Sequence, residues 1–293
     1  MITVIGDMVV DVIVHKSGAH YGTDTVSNIT TSPGGQANNV AASIQACGGQ
    51  STLLAKVGSD VYGRYLIEKV QEQGISPAIE RDQELETGKI VILVDKQNGE
   101  RTMFTDRGAN QTLACEEVWR QAETIRNSQC LYLSGYSFFD AKTVDAVMAA
   151  KEIAIKAGIP TAVDPSSSYF LHTHKQDLLH FIQGADYFFP NYEEGELLTG
   201  QSEPEVILTR LSAFAKHPVL KLGKEGCMVY HGGETQRIPV APTNAIDTTG
   251  AGDAFIGAYL TELFRNGHNH KEAGVFANNF GAKITQFPGP QPF

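Results

Sequence analysis

Two patterns alternate along most of this chain. Short apolar runs closed by glycine, proline or a polar residue give way to longer stretches whose apolar residues return every three or four positions. Ile2-Thr3-Val4-Ile5-Gly6, Ser51 to Gly58, Cys130 to Ser134, Thr161 to Asp164, Tyr187 to Pro190, Val219 to Gly223 and Cys227 to Tyr230 show the first pattern. Runs this short and this apolar suit strands covered on both faces. The second pattern predicts helices over 36–47, from Asp60 to Gly74, and over about 116–127, 141–157, 175–183, 193–199 and 204–215. A further helix begins near Gly250, with Ile256, Leu260 and Leu263 on one stripe. Strands alternating with such helices predict βαβ units and a mostly parallel sheet with helices on both sides.

Two stretches break this rhythm. From Asp11 to Thr31, and again over Gly88 to Asp95 and Glu100 to Asp106, apolar and polar residues alternate as in half-exposed strands. The second pair is joined around Gln97-Asn98-Gly99, and Asn-Gly favours a tight reversal. The expected organisation is a core of residues 1–11, 32–87 and 107–293, with 12–31 and 88–106 forming a small β lid. No repeat or linker interrupts it.

Composition narrows the classes of function. The 293 residues carry 23 Lys plus Arg and 33 Asp plus Glu, a net charge of −10 without a basic run. Binding driven by nucleic-acid phosphates or an anionic membrane is therefore not expected. An anionic substrate would have to be held by local backbone donors or a metal. No apolar run reaches the ~18 residues of a membrane span. Residues 1–14 lack a charged leader and cleavage site, and the four cysteines (Cys47, Cys115, Cys130, Cys227) form no Cys-x-x-Cys pair. Free thiols and a cytoplasmic location are the expectation.

Thr248-Thr249-Gly250-Ala251-Gly252-Asp253 stands at the start of the helix near Gly250. A helix N-terminus offers unpaired N–H groups and partial positive charge, and glycines let an anion approach them. Asp253 would repel such an anion unless it works on the anion's acceptor, taking a proton as a phosphoryl group moves. The alternative is an ordinary turn and helix, with Asp253 placed for the dipole alone. Other polar residues also fall after strands or at helix starts, where this kind of sheet binds ligands. They are Asp11, Gly34, Gly35, Asn39, Asp164, Asn191, Glu194 and the turn from Gly223 to Gly226. Asn191 and Glu194 equally suit a capping box. There is no P-loop, no dinucleotide fingerprint and no His-Glu-x-x-His; His268 and His270, in a polar stretch after Gly267, read as a solvated loop.

Asp247 to Phe255, reading Asp-Thr-Thr-Gly-Ala-Gly-Asp-Ala-Phe, resembles the C-terminal signature of the PfkB, or ribokinase-like, carbohydrate kinases. Pro33 to Ala41, continuing to Val57-Gly58-Ser59-Asp60, is similar to the N-terminal signature, and Pro190 to Glu194 resembles the family's Asn-x-x-Glu motif. The order matches over essentially the whole chain. The resemblance implies a three-layer α/β/α sandwich with a mostly parallel central sheet and a small β-sheet lid. It further implies that Asp253 is the catalytic base, with the N–H groups of Gly250, Ala251, Gly252 and Asp253 as the anion hole. Asp11, Gly34, Gly35 and Asn39 would hold the sugar. Asn191, Lys221, Gly223, Gly226 and Asn278 would serve the nucleotide, and Glu194 would hold Mg²⁺ through water. Asp247 and Thr249, with carbonyls near Ile284 and Gly289, would bind a monovalent cation, K⁺. Lys221 stands where some members have Thr, and the signature's Gln36 and Asn38 have no clear role.

The expected activity is ATP-dependent phosphorylation of a primary hydroxyl on a small sugar or sugar acid. Arg107, after a lid strand, would bind a substrate carboxylate or merely pair on the lid surface. A nucleoside kinase is the alternative, with Tyr21, Met103 and Phe104 against the base. A non-catalytic sugar-binding regulator should have lost Asp253 or the glycines, and all are present. Half-exposed lid strands are also a plausible homodimer surface.

Overall fold

The computed structural model describes residues 1–16, 18, 22–95, 101–138, 140–287 and 289–291. In chain order it begins β1 (Ile2–Ile5), β2 (Val9–Lys16), β3 (Asn28–Gly34), α1 (Gln36–Ala46), β4 (Ser51–Gly58), α2 (Val61–Glu72), β5 (Ser76–Asp82), β6 (Gly88–Asp95) and β7 (Arg101–Asp106). The middle of the chain forms α3 (Cys115–Arg120), α4 (Ala122–Arg126), β8 (Cys130–Ser134), α5 (Ala141–Ala157), β9 (Thr161–Asp164), α6 (Ser168–Ile182) and β10 (Ala185–Phe188). It ends with α7 (Tyr192–Thr199), α8 (Pro204–Leu211), β11 (Ala215–Lys221), β12 (Cys227–His231), β13 (Glu234–Ile238), α9 (Ala251–Arg265) and α10 (His270–Ile284).

Nine strands form the main sheet in the order β13-β12-β11-β10-β9-β8-β1-β4-β5, parallel from β11 through to β5, with β12 and β13 antiparallel at one edge. Successive residues of a strand face opposite sides, and the core divides accordingly. Val4, Cys130, Tyr132 and Val219 pack with Val40, Leu66, Ile256 and Ala277 of α1, α2, α9 and α10. Ile5, Leu131, Leu133 and Leu220 pack with Val118, Ile125, Val147, Leu178, Leu198 and Ile207 on the other side. The architecture is the expected three-layer α/β/α sandwich.

A second sheet has the order β3-β2-β6-β7. Its strands run over 9–16, 28–34, 88–95 and 101–106, so they reach a little further into the chain than the lid limits of 12–31 and 88–106. The reversal at Gln97-Asn98-Gly99 lies outside the described residues.

Three elements were not anticipated, and each has a physical reason. β5 contains a proline and four charged or polar residues (SPAIERD), which an edge strand tolerates. β13 (ETQRI) is likewise a polar edge. α10 carries two glycines and two asparagines, so its propensity is poor, and its packing against α9 compensates. The solvated-loop reading holds for His268, which is exposed in the turn before α10, and is corrected for His270, which opens α10 and is buried. The predicted helix over 116–127 is two helices parted at Gln121, and that over 204–215 stops at Leu211 because Ala215 already enters β11.

Candidate active site

α9 begins at Gly250, whose φ of 73° is the left-handed turn that points the next amides out of the helix start. Ala251 N–H donates to Thr248 O at 3.2 Å. Among the described residues, no acceptor meets the amides of Gly250, Gly252 and Asp253, as a free helix start requires. Asp253 Oδ2 accepts a hydrogen bond of 2.8 Å from Asn39 Nδ2, which projects from the first turns of α1. Gly257 makes that meeting possible: a Cβ there would lie 2.6 Å from Ser43 Cβ and 2.8 Å from Val40 O. Helices α1 and α9 therefore approach to near backbone contact. Asn39 Oδ1 in turn accepts from Gln291 Nε2 at 2.8 Å, a C-terminal residue with no local motif to announce it.

Helix-dipole reasoning alone would leave Asp253 ionised at neutral pH. The fold does otherwise. Burial pushes its carboxyl up from 3.8 to about 8, and the charges of Asp164 and Asp7 add to this against the Asn39 bond and Lys221. The side chain keeps a solvent edge, yet the surrounding protein is dense enough for desolvation to outweigh the dipole.

On one side of Asp253 lies a cavity of about 550 Å³. Lys221, Gly223, Gly226 and Asn278 line it, together with Thr248, Ala251 and Gly252 at the start of α9. Val240, Pro242, Phe255 and Gly281 also line it and were not singled out from sequence; apolar residues on loops and helix faces carry no local signal of a ligand. Asn278 Nδ2 donates to Ile238 O at 2.8 Å, tying α10 to the end of β13 beneath the cavity. Lys221 Nζ reaches back from the cavity to Asp164 Oδ2 at 2.5 Å. Burial would lower the ammonium's pKa, but the charges of Asp164, Glu194 and Asp253 lift it above the ordinary lysine value.

Glu194 is buried and does complete a capping box: its backbone N–H donates to Asn191 Oδ1 at 2.9 Å, and Asn191 N–H donates to Glu194 Oε2 at 2.8 Å. Burial first, then the Asp164 charge, raises its carboxyl to about 7, opposed by Lys221. Asn191 pairs with Lys221 as an isolated bridge at the ends of β10 and β11. Three carboxylates, Asp164, Glu194 and Asp253, thus surround one ammonium. Two of them are pushed toward the protonated form, and a divalent cation would favour their charged forms.

On the other side of Asp253 the sheet ends carry a polar chain. Gln36 Nε2 donates to Asp164 Oδ1 at 2.8 Å, while Gln36 Oε1 accepts from Ser134 Oγ at 2.6 Å and Ser166 Oγ at 2.5 Å. Ser134 Oγ also lies 3.3 Å from Asp7 Oδ1, and Arg107 Nη1 donates to Asp7 Oδ2 at 2.8 Å. Gln36 therefore joins the Lys221 cluster to the Arg107 pair. Asn38 has a backbone role, its Nδ2 donating to Gly34 O at 3.3 Å. Arg107 also lies 3.8 Å over the Tyr136 ring and lines a cavity of about 110 Å³ with Asp7, Asn110 and Phe170.

Asp11 sits on β2 beside Gly34 of β3, where a Cβ would fall 2.3 Å from the Asp11 carboxylate; only glycine leaves it room. Asp11 is 5% exposed, its Oδ1 has no partner, and burial followed by the Asp7 charge raises its carboxyl to about 7. Gly35 caps α1 at φ 97°. Asp247 Oδ1 accepts from Thr249 N–H at 2.7 Å and Oδ2 from Gly289 N–H at 3.0 Å; Ile246 and Asp247 N–H both donate to Thr285 O, beside Ile284. All four residues expected at a cation site are thereby brought together.

The model of the pfkB family carbohydrate kinases matches residues 1–293. The chain is 28% identical over 305 residues to a probable fructokinase-5 of Arabidopsis thaliana, covering 100% of this chain and 93% of that protein. It is 30% identical over 268 residues to the ribokinase of Staphylococcus aureus (strain COL), covering 88% and 83%. Its fold is similar to the adenosine kinase of Sinorhizobium meliloti, with TM-score 0.90, 24% identity and 100% and 95% coverage. It is also similar to a putative ribokinase II of E. coli in complex with ATP and Mg²⁺, with TM-score 0.88, 24% identity and 99% and 94% coverage. With a family model matching from end to end, the chain belongs to the PfkB family and is an ATP-dependent carbohydrate kinase.

Proposed function

We propose that this kinase moves the γ-phosphoryl group of ATP onto a primary hydroxyl of a small neutral sugar, with Asp253 as proton acceptor. The observation that carries the reading is the position of Asp253 at a seam. The large cavity with Lys221 lies on one side, and the partnerless Asp11 oxygen and Asn39 belong to the other. ATP fits the first in size. The substrate oxygen forms its bond to phosphorus as the bond to the leaving ADP oxygen breaks, and its proton passes to Asp253. The amides of Gly250, Gly252 and Asp253, with Lys221, hold the transferring group; losing one such donor elsewhere costs about 10²–10³-fold. Ala251 contributes less, its amide being engaged by Thr248.

Mg²⁺ would be held near Glu194 and would neutralise phosphate charge. Asp247 and Thr249, with carbonyls near Ile284 and Gly289, supply the hard oxygen donors that K⁺ prefers. Asp11 Oδ1 accepts from a sugar hydroxyl, Gly34 and Gly35 shaping the turn beside it. Arg107 is engaged by Asp7, so its charge is already countered. Asp7 and Asp11, close enough for the charge of one to act on the other, suit hydroxyls better than a further carboxylate, which favours a sugar over a sugar acid. The nucleoside alternative is weakened by register. Met103 and Phe104 are neighbours on β7, so they face opposite ways, and only Met103 shares the Asp11 face through Ile92 and Ile13. Tyr21 lies outside the described residues. The opposite face of the small sheet gathers Val14, Ile29, Val91, Leu93 and Phe104, with Ile29 59% and Phe104 58% exposed. That face is where a second copy would pair.

An ADP-release assay over pentoses, hexoses, sugar acids and nucleosides, with K⁺ or Na⁺ as the salt, tests the proposal. Hexoses or pentoses should be turned over, faster in K⁺, and Asp253→Asn should lose about 10²–10⁴-fold in turnover with sugar affinity little changed. Near-normal turnover in that variant would refute the assignment.

A further inference from the structure

Three histidines far apart in sequence meet at the opposite end of the sheet from Asp253. His217 lies early in β11 and His231 ends β12. The antiparallel ladder pairs Val219 with Val229, and two residues further the same register sets His217 opposite His231. His270 opens α10 against them. Their rings are 4.4–4.9 Å apart between centroids, and one nitrogen from each lies within 4.8 Å of the other two. The Nδ1 atoms of His217 and His231 are 3.4 Å apart. Two imidazole nitrogens on a tetrahedral ion, each at 2.0–2.1 Å, are about 3.4 Å apart.

From this convergence we propose that His217, His231 and His270 form a site for a zinc-class divalent ion. Outer contacts orient two of the rings. His270 Nδ1 is 2.8 Å from the buried hydroxyl of Tyr259, leaving Nε2 for an ion, and the Tyr230 backbone carbonyl bonds the His217 ring. Ligating histidines are held by second contacts of this kind. Imidazole donors select zinc, cobalt, nickel or copper over Mg²⁺. His231 is exposed, so an ion can enter from solvent and keep water as a fourth ligand, while His270 is buried. The partial positive charge at the start of α10 opposes a cation, and three nitrogen donors outweigh it.

The site has a structural consequence. His217 is four residues before Lys221, about 13 Å along the strand. His270 is eight before Asn278, about 12 Å along the helix. An ion here pins α10 to the β11–β12 hairpin, two elements whose far ends line the 550 Å³ cavity. It acts as a staple remote from the chemistry.

Chelator-stripped protein titrated with Co²⁺ in the absence of nucleotide provides the test. One equivalent should give the intense visible bands of a four-coordinate site, Zn²⁺ should displace it, and Zn²⁺ should raise the melting temperature. All three responses should be lost in His231→Ala and in His217→Gln, while Mg²⁺-dependent ADP release persists and reports that both variants fold. Absence of four-coordinate cobalt bands would overturn the proposal, leaving the 3.4 Å contact as a hydrogen bond between two imidazoles. Responses unchanged in both variants would overturn it equally, placing the ion elsewhere, as on His172 and His174 of α6.

Discussion

Asp253 is a residue whose behaviour is set by its surroundings. Its carboxyl releases a proton at 3.8 in the unfolded chain and at about 8 in the fold. Below the lower value both states are protonated. Between the two values only the native state holds the proton, so raising the pH favours unfolding. Asp253→Asn removes this burden. The stability of that variant relative to wild type should therefore grow from about pH 4 to about pH 8, by an amount on the order of a few kcal/mol. Denaturant titrations across that range check it, and a difference independent of pH would show that Asp253 is not desolvated. With Asp253 in the proposed role of proton acceptor, the same shift predicts an acidic limb in kcat/KM, since a base must be ionised to accept a proton. Asp253 was legible from sequence because it sits in a contiguous motif. Asp7, Gln36 and Gln291 were not, because their partners Arg107, Asp164 and Asn39 are 100, 128 and 252 positions away.

At the scale of elements, the site depends on how closely α1 and α9 approach. A Cβ at Gly257 would meet Ser43 and the Val40 carbonyl, and neither can yield without moving a helix. Gly257→Ala should destabilise the protein by roughly 1–3 kcal/mol, the usual cost of overpacking. It should also lower kcat more than it raises the sugar KM, because it moves Asn39 away from Asp253. Melting temperature and steady-state kinetics on the same preparation test this, and an unchanged kcat would detach the helix contact from the chemistry. The bounds of α1 and α5 were read nearly as they stand, each closed by a breaker, Gly48 or Gly158, just past its end. Elements stabilised mainly by neighbours, β5, β13 and α10, were not anticipated, since their own residues argue against them until the sheet edge and α9 are present.

At the scale of the whole molecule, the four-stranded sheet carries Asp11 on one face and Val14, Ile29, Leu93 and Phe104 on the outer one. Apolar residues on the outer face are contributed by all four strands, and such faces on soluble proteins commonly bind a partner. If a second copy covers it, light scattering should show a dimer, and Phe104→Lys should give a monomer. A wild-type monomer at assay concentrations would dispose of the pairing. Among the described residues no helix is long and apolar enough to cross a membrane.

The sequence by itself determined the alternation of strands and helices, and with it the sandwich, because hydrophobic periodicity is a local property. It also determined the Thr248–Asp253 motif that carries the family resemblance, because a glycine-rich helix start with its carboxylate is contiguous in sequence. Tertiary structure alone decided the rest: that Asp253 is desolvated, that Gln36 links the Lys221 cluster to Arg107, that Arg107 is already paired, and that three histidines converge on one point. Each of these is set by groups brought together from distant parts of the chain, and desolvation and pairwise charge act only over such short distances.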